Sequence, residues 1–383
     1  MSDMNLSGID DLKLYAANLA EKLIQVPTEN PPGKNYYQCA VLLKTECETL
    51  GLDTELIQVE NSDRYIVLAK TGKKKTELHF HCHYDVVPAG PGWTVNPFGG
   101  KMRNSRIYGR GSSDMKGGIA SVFTALKALD GSGSISVSLT PDEETGGEQG
   151  AAYAVKNRLV HTEMAVLPEL TGLKTIFTAC KGALWIEVCV SGAAGHPSVK
   201  GYGLNAFDRM VEVASRLQNL KTKIENRKST LKSYPEGGEW ATLTSGGRCS
   251  TGEAVNVVPG EAKFTLDRRI LPEEDMEKAK QEILECIKNS TEAEVLLEAH
   301  SFCIDEKTTV CQLLKSASEK VTGNQVDCAL CPGFLDARHF VHAGIPCATY
   351  GPGIYENAHK PDEYIRIQDV MTAAKVFYIM AAR

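Results

Sequence analysis

Apolar residues recur at helical spacing from Asp10 to Val26, at Leu12, Leu14, Ala17, Leu19, Leu23 and Ile24. A Pro-rich turn, Pro27 to Gly33, ends this segment, and a second helix is predicted from Tyr36 to Leu50, stopped by Gly51. Shorter apolar runs read as strands at Arg64 to Leu68, Glu77 to Cys82, Ile135 to Leu139 and Met164 to Leu167, with helices at Ile119 to Leu129 and around Gln149 to Arg158. The texture changes near Lys181. Strand Ala183 to Val190, helix Leu204 to Leu217, strands Glu239 to Thr244 and Ala262 to Ile270, helix Glu273 to Lys288 and strand Ala293 to Ala299 follow in the order β-α-β-β-α-β, the split pattern of ferredoxin-like units. The polar stretch Lys221 to Gly238 is expected to be an exposed connection within it. Past Phe302 the α/β texture returns, with helix Val310 to Val321, the segment Gly333 to Phe340, strand Pro346 to Tyr350 and a last helix from Ile367 to Met380. The expected organisation is an α/β domain made of residues 1–180 and 298–383, interrupted by an inserted domain at 181–297.

Length agrees with that division, because 383 residues exceed one ordinary hydrophobic core. The net charge of −6 offers no basic footprint for nucleic acid and no polybasic arm for a membrane surface. No apolar run approaches the roughly 18 residues of a membrane span, and Met1 to Asp11 lacks the order of a signal peptide, so a soluble cytoplasmic protein is expected. The 12 cysteines are scattered, as reduced core residues would be. Cys328 and Cys331 have the C-x-x-C spacing of zinc knuckles and redox motifs, without the second pair or the helix-opening context those need.

Candidate chemistry concentrates just past the predicted strands. Glu143 and Glu144 are adjacent in a turn-forming sequence after the run Ile135 to Leu139. They are either a solvated acidic turn or a metal-binding carboxylate beside one that moves protons. His79, His81 and His83 alternate along one strand and share a face. His83 ends that strand with Asp85 two positions on, close enough to accept the ring's second N–H and orient it for a metal. The glycines of Gly109 to Gly118 match no phosphate-binding motif and instead let the backbone bend, so that Asp114 points into a site. Glu169 and His359 also lie beyond strand ends, the edge at which open α/β sheets bind ligands.

In order and across nearly the whole chain, these segments resemble the zinc-dependent amidohydrolases of the M20 peptidase family, a group that includes acetylornithine deacetylase, succinyl-diaminopimelate desuccinylase, aminoacylase and glutamate carboxypeptidase. The resemblance rests on His83-Tyr84-Asp85-Val86-Val87-Pro88, Gly109 to Gly118 around Asp114, Asp142-Glu143-Glu144, Asn256-Val257-Val258-Pro259, and Ala358-His359 with Pro361-Asp362-Glu363. It implies a zinc-aminopeptidase-like catalytic domain with a central mixed sheet flanked by helices, plus an inserted ferredoxin-like dimerisation (lid) domain. It also implies two Zn²⁺ per chain, with Co²⁺ or Mn²⁺ as substitutes, bridged by Asp114. One ion is held also by His83 and Glu169, the other by Glu144 and His359. Glu143 becomes the general base and Asp85 the partner of His83. Glu169 departs from the family's usual Gly-Glu-Pro, standing here in Pro168-Glu169-Leu170.

Carried into the inserted domain, the resemblance makes His196 an oxyanion-stabilising residue that reaches across a homodimer, and Asn256 and Arg269 substrate-binding residues. The alternatives are a surface-loop histidine for His196 and an edge-strand ion pair for Arg269. Phe334 and Leu335 stand where the family often has small hydroxyl residues. They either line the pocket, disfavouring succinyl groups, or belong to the core. The implied activity is hydrolysis of an N-acyl amino acid, with a dipeptidase or carboxypeptidase of the same family and a non-catalytic scaffold as the competing expectations.

Overall fold

A computed structural model of the chain describes residues 6–72, 76–288 and 291–382, so the first five residues of the acidic N-terminal stretch lie outside it. The chain forms two compact units. One comprises Met1–Thr178, Ile304–Ala329 and Leu335–Arg383, the other Ala179–Cys303 and Leu330–Phe334.

The first unit is built on a mixed sheet. Its strands run in the order Asp53–Gln58, Tyr65–Lys70, Ile135–Thr140, Thr76–His83, Thr162–Leu167, Cys347–Thr349 and Thr175–Cys180. The central pairs, Thr76–His83 with Ile135–Thr140 and with Thr162–Leu167, and Thr162–Leu167 with Cys347–Thr349, are parallel. Parallel strands buried on both faces need apolar or satisfied polar residues throughout, and Thr76–His83 is buried at every position but Glu77. Its two faces carry different chemistry. Leu78, Phe80 and Cys82 enter a core with the helices Lys13–Ile24, Tyr36–Thr49, Gly117–Leu129, Thr309–Thr322 and Ile367–Ala381, where the Phe80 and Phe377 rings lie 5.1 Å apart. The opposite face carries His79, His81 and His83.

The parallel register sets four strand ends side by side. His83 is paired with Thr140, and Thr349 with Leu167, so the segments after His83, Thr140, Leu167 and Thr349 all leave the same edge of the sheet. That edge carries the candidate residues.

The second unit is a four-stranded antiparallel sheet in the order Thr242–Thr251, Glu261–Ile270, Gly182–Ser191 and Thr291–Ala299. Strict alternation along Glu261–Ile270 turns Ala262, Phe264, Leu266 and Ile270 towards the helices Ala206–Ile224 and Met276–Ile287. Asn205 and Asp275 cap these helices by accepting the N–H groups of Phe207 and Lys278. The element order and the strand order together make this the expected ferredoxin-like arrangement. Arg269, for which an edge-strand ion pair is the alternative to substrate binding, sits on Glu261–Ile270, which is paired on both sides and so is not an edge strand.

Several strands escaped the sequence pattern. Asp53–Gln58 ends the sheet order and alternates weakly, and Asp327–Cys331 is a short strand that carries the C-x-x-C spacing. On a strand, Cys328 and Cys331 project to opposite faces, so the pair does not converge on one ligand.

Candidate active site

Three turns and two loops bring the candidate residues of the first unit together, and each has a local cause. Gly111 has φ +81°, and a Cβ there would meet Val86 Cγ1 at 2.4 Å, so only glycine lets the chain enter the wide turn Ser112–Lys116. Inside that turn Asp114 and Met115 leave helical geometry, which points the Asp114 carboxylate out of the helix that follows. Lys116, fully buried two residues later, donates to the carbonyls of Leu23 at 2.9 Å and Val26 at 2.8 Å and so satisfies the end of helix Lys13–Ile24.

The acidic turn is held from three sides. Asp142, in the left-handed region at φ 81°, accepts the N–H of Gln149 on its carboxylate at 3.0 Å, and its carbonyl accepts from Gly147 at 2.6 Å. The Asp85 carboxylate accepts the N–H groups of Glu143 and Glu144, each at 3.3 Å, and the side-chain amide of Asn30 at 2.9 Å. Arg338 donates to the Gly146 carbonyl. Glu169 is turned inward by close backbone packing. A Cβ on Gly118 would lie 1.9 Å from the Pro168 carbonyl oxygen, and one on Gly351 would lie 2.2 Å from Pro168 C.

The result is two overlapping groups of three. His83, Asp114 and Glu169 offer ligand atoms all within 4.8 Å of one another, and so do Asp114, Glu144 and His359. His83 Nε2 lies 3.1 Å from Asp114 Oδ1 and 3.9 Å from Glu169 Oε1. His359 Nε2 lies 3.2 Å from Asp114 Oδ2 and 3.3 Å from Glu144 Oε2. Asp114 therefore spans both groups with its two oxygens. His359 is half-exposed and sits at φ 61°, a conformation a non-glycine residue keeps only when its surroundings impose it. Glu143 is buried beside both groups and belongs to neither.

The orientation of His83 differs in detail from expectation. Its Nδ1 lies 3.0 Å from the Asp85 backbone carbonyl and 3.4 Å from the Asp85 carboxylate, which is occupied by the acidic turn. Asp85 thus serves His83 chiefly through its main chain. His79 and His81, on the same strand face, do not enter the centre. Their rings bond to Ser136, Ser138 and Asp336 and pack on Phe340, so they are satisfied core histidines.

Electrostatically the centre crowds four carboxylates around two imidazoles; burial opposes the charged form of His83, yet its bonds to Asp114 and Asp85 raise it well above its usual range. Burial pushes the Glu143 carboxyl well above the usual range, with Glu169 and Asp336 adding to the rise. Burial raises Glu169 to about 8 and raises Glu144, each helped by Asp114. Burial opposes ionisation of Asp114 too, yet hydrogen bonds from His359 and His83 hold it well below the carboxylate range. The bonds of His359 to Asp114 and Glu144 raise His359 to about 11. Glu169 Oε1 is buried with no hydrogen-bond partner. Four carboxylates converging with two imidazoles, one oxygen orphaned, form a donor set that fits divalent cations.

The sequence matches the family described as Peptidase family M20/M25/M40 over residues 79–383. The chain belongs to that family. M20 hydrolases cleave amide or peptide bonds with the help of bound metal, and this chain is an enzyme of that class. It is similar to acetylornithine deacetylase of Proteus mirabilis, 29% identical over 374 residues that cover 94% of this chain and 93% of the relative. Its fold is similar to an M20 metallo-carboxypeptidase of Sulfolobus solfataricus, with TM-score 0.77 at 22% identity, covering 97% of this chain and 99% of that one. It is also similar to a dinuclear metal-binding M20 peptidase of Bacillus subtilis, with TM-score 0.68 at 16% identity, covering 97% and 98%. Among the described residues, no helix is long and apolar enough to cross a membrane.

The remaining candidates lie in the second unit. His196 is exposed on a loop, its Nδ1 2.7 Å from Ser198 Oγ, and Asn256 is exposed between Thr251 and Glu261. Arg269 pairs with Asp267 at 2.8 Å and stands over the Phe334 ring at 5.5 Å. Phe334 also meets Trp185 edge-on at 6.0 Å, whereas Leu335 is buried in the first unit. Sequence reasoning missed Asn30, Asp336 and Arg338, which touch the acidic turn or its surroundings, because isolated polar residues in loops and short helices carry no pattern. Glu363 lay within a matched motif without a role.

Proposed function

We propose that this chain is a two-zinc amidohydrolase that removes the acyl group of an N-acyl amino acid. The observation that carries the reading is the pair of ligand groups sharing Asp114, with a buried carboxylate, Glu143, beside them and outside both. In this reading His83, Asp114 and Glu169 hold one ion, and Asp114, Glu144 and His359 the other. Oxygen and imidazole donors suit zinc, and the orphaned Glu169 oxygen supports a cation there. Bound divalent ions would polarise the scissile carbonyl and lower the pKa of water.

The chain's own residues do the rest. Glu143 accepts a proton from the attacking water and returns it to the leaving amine, a role its raised proton affinity supports. Asp85 keeps Glu143 and Glu144 apart in function by fixing the backbone of both. Arg269 pairs with the substrate carboxylate, Asn256 contacts the substrate, and His196 stabilises the oxyanion. His196 does so in the site of a second copy, the protein being a cytoplasmic homodimer. Exposed apolar side chains on the second unit support a covering partner there: Val199, Tyr202, Leu204, Phe207, Val211, Val255 and Val257.

Metal analysis should return about two zinc ions per chain, and a chelator should abolish hydrolysis of N-acetyl amino acids. A panel of N-acyl amino acids and dipeptides separates this reading from a metallo-dipeptidase or carboxypeptidase, which would cleave only the dipeptides. A metal-free protein inert towards the whole panel would remove the proposal.

A further inference from the structure

Glu363 lies four residues beyond His359, and its side chain is fully buried under the turn that carries Asp114. One carboxylate oxygen, Oε1, accepts the N–H of Ser113 at 2.8 Å and of Asp114 at 3.2 Å. The other, Oε2, accepts the N–H of Gly111 at 3.1 Å and Arg110 Nη1 at 2.7 Å. Successive N–H groups cupped around one anion form a nest, and here the chain fills its own nest with a side chain from 250 residues away. The same two segments are tied by their backbones. Gly109 N donates to the Glu363 carbonyl at 2.9 Å, Arg110 Nη1 to the Lys360 carbonyl at 3.3 Å, and Ser113 Oγ to the Tyr364 carbonyl at 2.8 Å.

We infer that Glu363, with Arg110 as its counter-ion, is the positioning residue that fixes the separation of Asp114 from His359, and so controls how tightly the second metal ion is held. The inference rests on the two-ion reading of the site. Two of the three ligands of the Asp114, Glu144 and His359 group sit on the segments Glu363 joins. The His83, Asp114 and Glu169 group has one. Loss of the clasp therefore falls unequally on the two ions. An ordinary buried ion pair, holding the fold and nothing more, would lower thermal stability without separating them.

Glu363→Gln is the direct test. An amide offers one acceptor oxygen and one donor nitrogen, so in either orientation its NH₂ faces N–H donors where an oxygen stood. Zinc is titrated into metal-free protein in competition with a chromophoric chelator, with folding monitored by far-UV circular dichroism. Wild type should bind two ions. Glu363→Gln should hold one of them about 10–100-fold more weakly, the range for losing a residue that orients a ligand. It should also match His359→Ala in which ion is lost. Glu363→Asp, which keeps the charge on a shorter arm, should recover part of the affinity. Where Glu363→Gln does not fold, Arg110→Lys carries the same measurement, because it retains the charge but gives up the fixed guanidinium geometry that joins Glu363 Oε2 to the Lys360 carbonyl. Folded variants that bind both ions as wild type does overturn the inference alone. A wild type that binds no zinc overturns the two-ion reading beneath it.

Discussion

At the residue scale, adjacency in sequence says little about role. Glu143 and Glu144 are neighbours, yet the short helical turn Glu143–Thr145 sends one towards Asp114 and His359 and leaves the other unpartnered and buried. Glu143→Ala should keep its metal while turnover falls by about 10²–10⁴-fold, the contribution typical of a positioned base. Steady-state kinetics beside metal analysis reads both, and full retained activity would remove the assignment. The histidines outside the centre give a pH prediction. Burial holds His339 down at about 4 and His79 well below its ordinary value, with Arg338 and His81 respectively adding to the effect. The folded protein keeps both neutral, while the unfolded chain protonates them below about 6.5. The unfolded state thus binds more protons, and stability falls as pH drops from about 6.5 towards 4, by about 1.4 kcal/mol per pH unit for each histidine. The urea midpoint should accordingly differ less between pH 7 and pH 5 in His339→Gln than in wild type. An unchanged difference would count against the buried neutral state.

At the scale of elements, the site depends on how closely backbones approach. Gly118 opens its helix against the Pro168 carbonyl, and Gly351 closes the same segment from the strand side, which is why Glu169 can be delivered by Pro168-Glu169-Leu170. Gly118→Ala should cost about 1–3 kcal/mol as an overpacked substitution, and should weaken the ion held by His83, Asp114 and Glu169. Thermal unfolding and zinc titration check this against Gly72→Ala, where a Cβ would meet nothing within 4 Å. A Gly118→Ala protein as stable as wild type would mean that the segment yields without cost.

At the scale of the whole molecule, the chain leaves its first unit, builds a complete ferredoxin-like unit and returns. Phe207 and Val211, one turn apart on helix Ala206–Ile224, are 44% and 50% exposed, and the proposed dimer would cover them. Phe207→Glu with Val211→Glu should convert the proposed dimer to monomer in sedimentation. If His196 serves a partner's site, turnover should fall with dissociation and the zinc content should not. A fully active monomer would contradict both the dimer and the role of His196.

Much of this was readable from residues alone. Periods of 3.6 and 2 are local properties, so the helices and most central strands follow from the order of apolar positions, and the ferredoxin-like order of the second unit follows from theirs. The candidate ligands were also readable, because His83, Glu144, Glu169 and His359 stand at or beyond strand ends and Asp114 stands before a helix. What the tertiary structure decided is everything that depends on residues far apart in the chain. Parallel register is what sets His83 beside the Glu143 turn, and Asp114 meets His359 across 245 residues. Asp85 carries a carboxylate for the acidic turn and a carbonyl for His83, a division that spacing of two cannot distinguish. The edge strand Asp53–Gln58 is defined by its partner Tyr65–Lys70 rather than by a strong pattern of its own. Glu363 is the clearest case: a surface-type residue by composition, it is buried because backbone N–H groups 250 residues away supply the partners its charge requires.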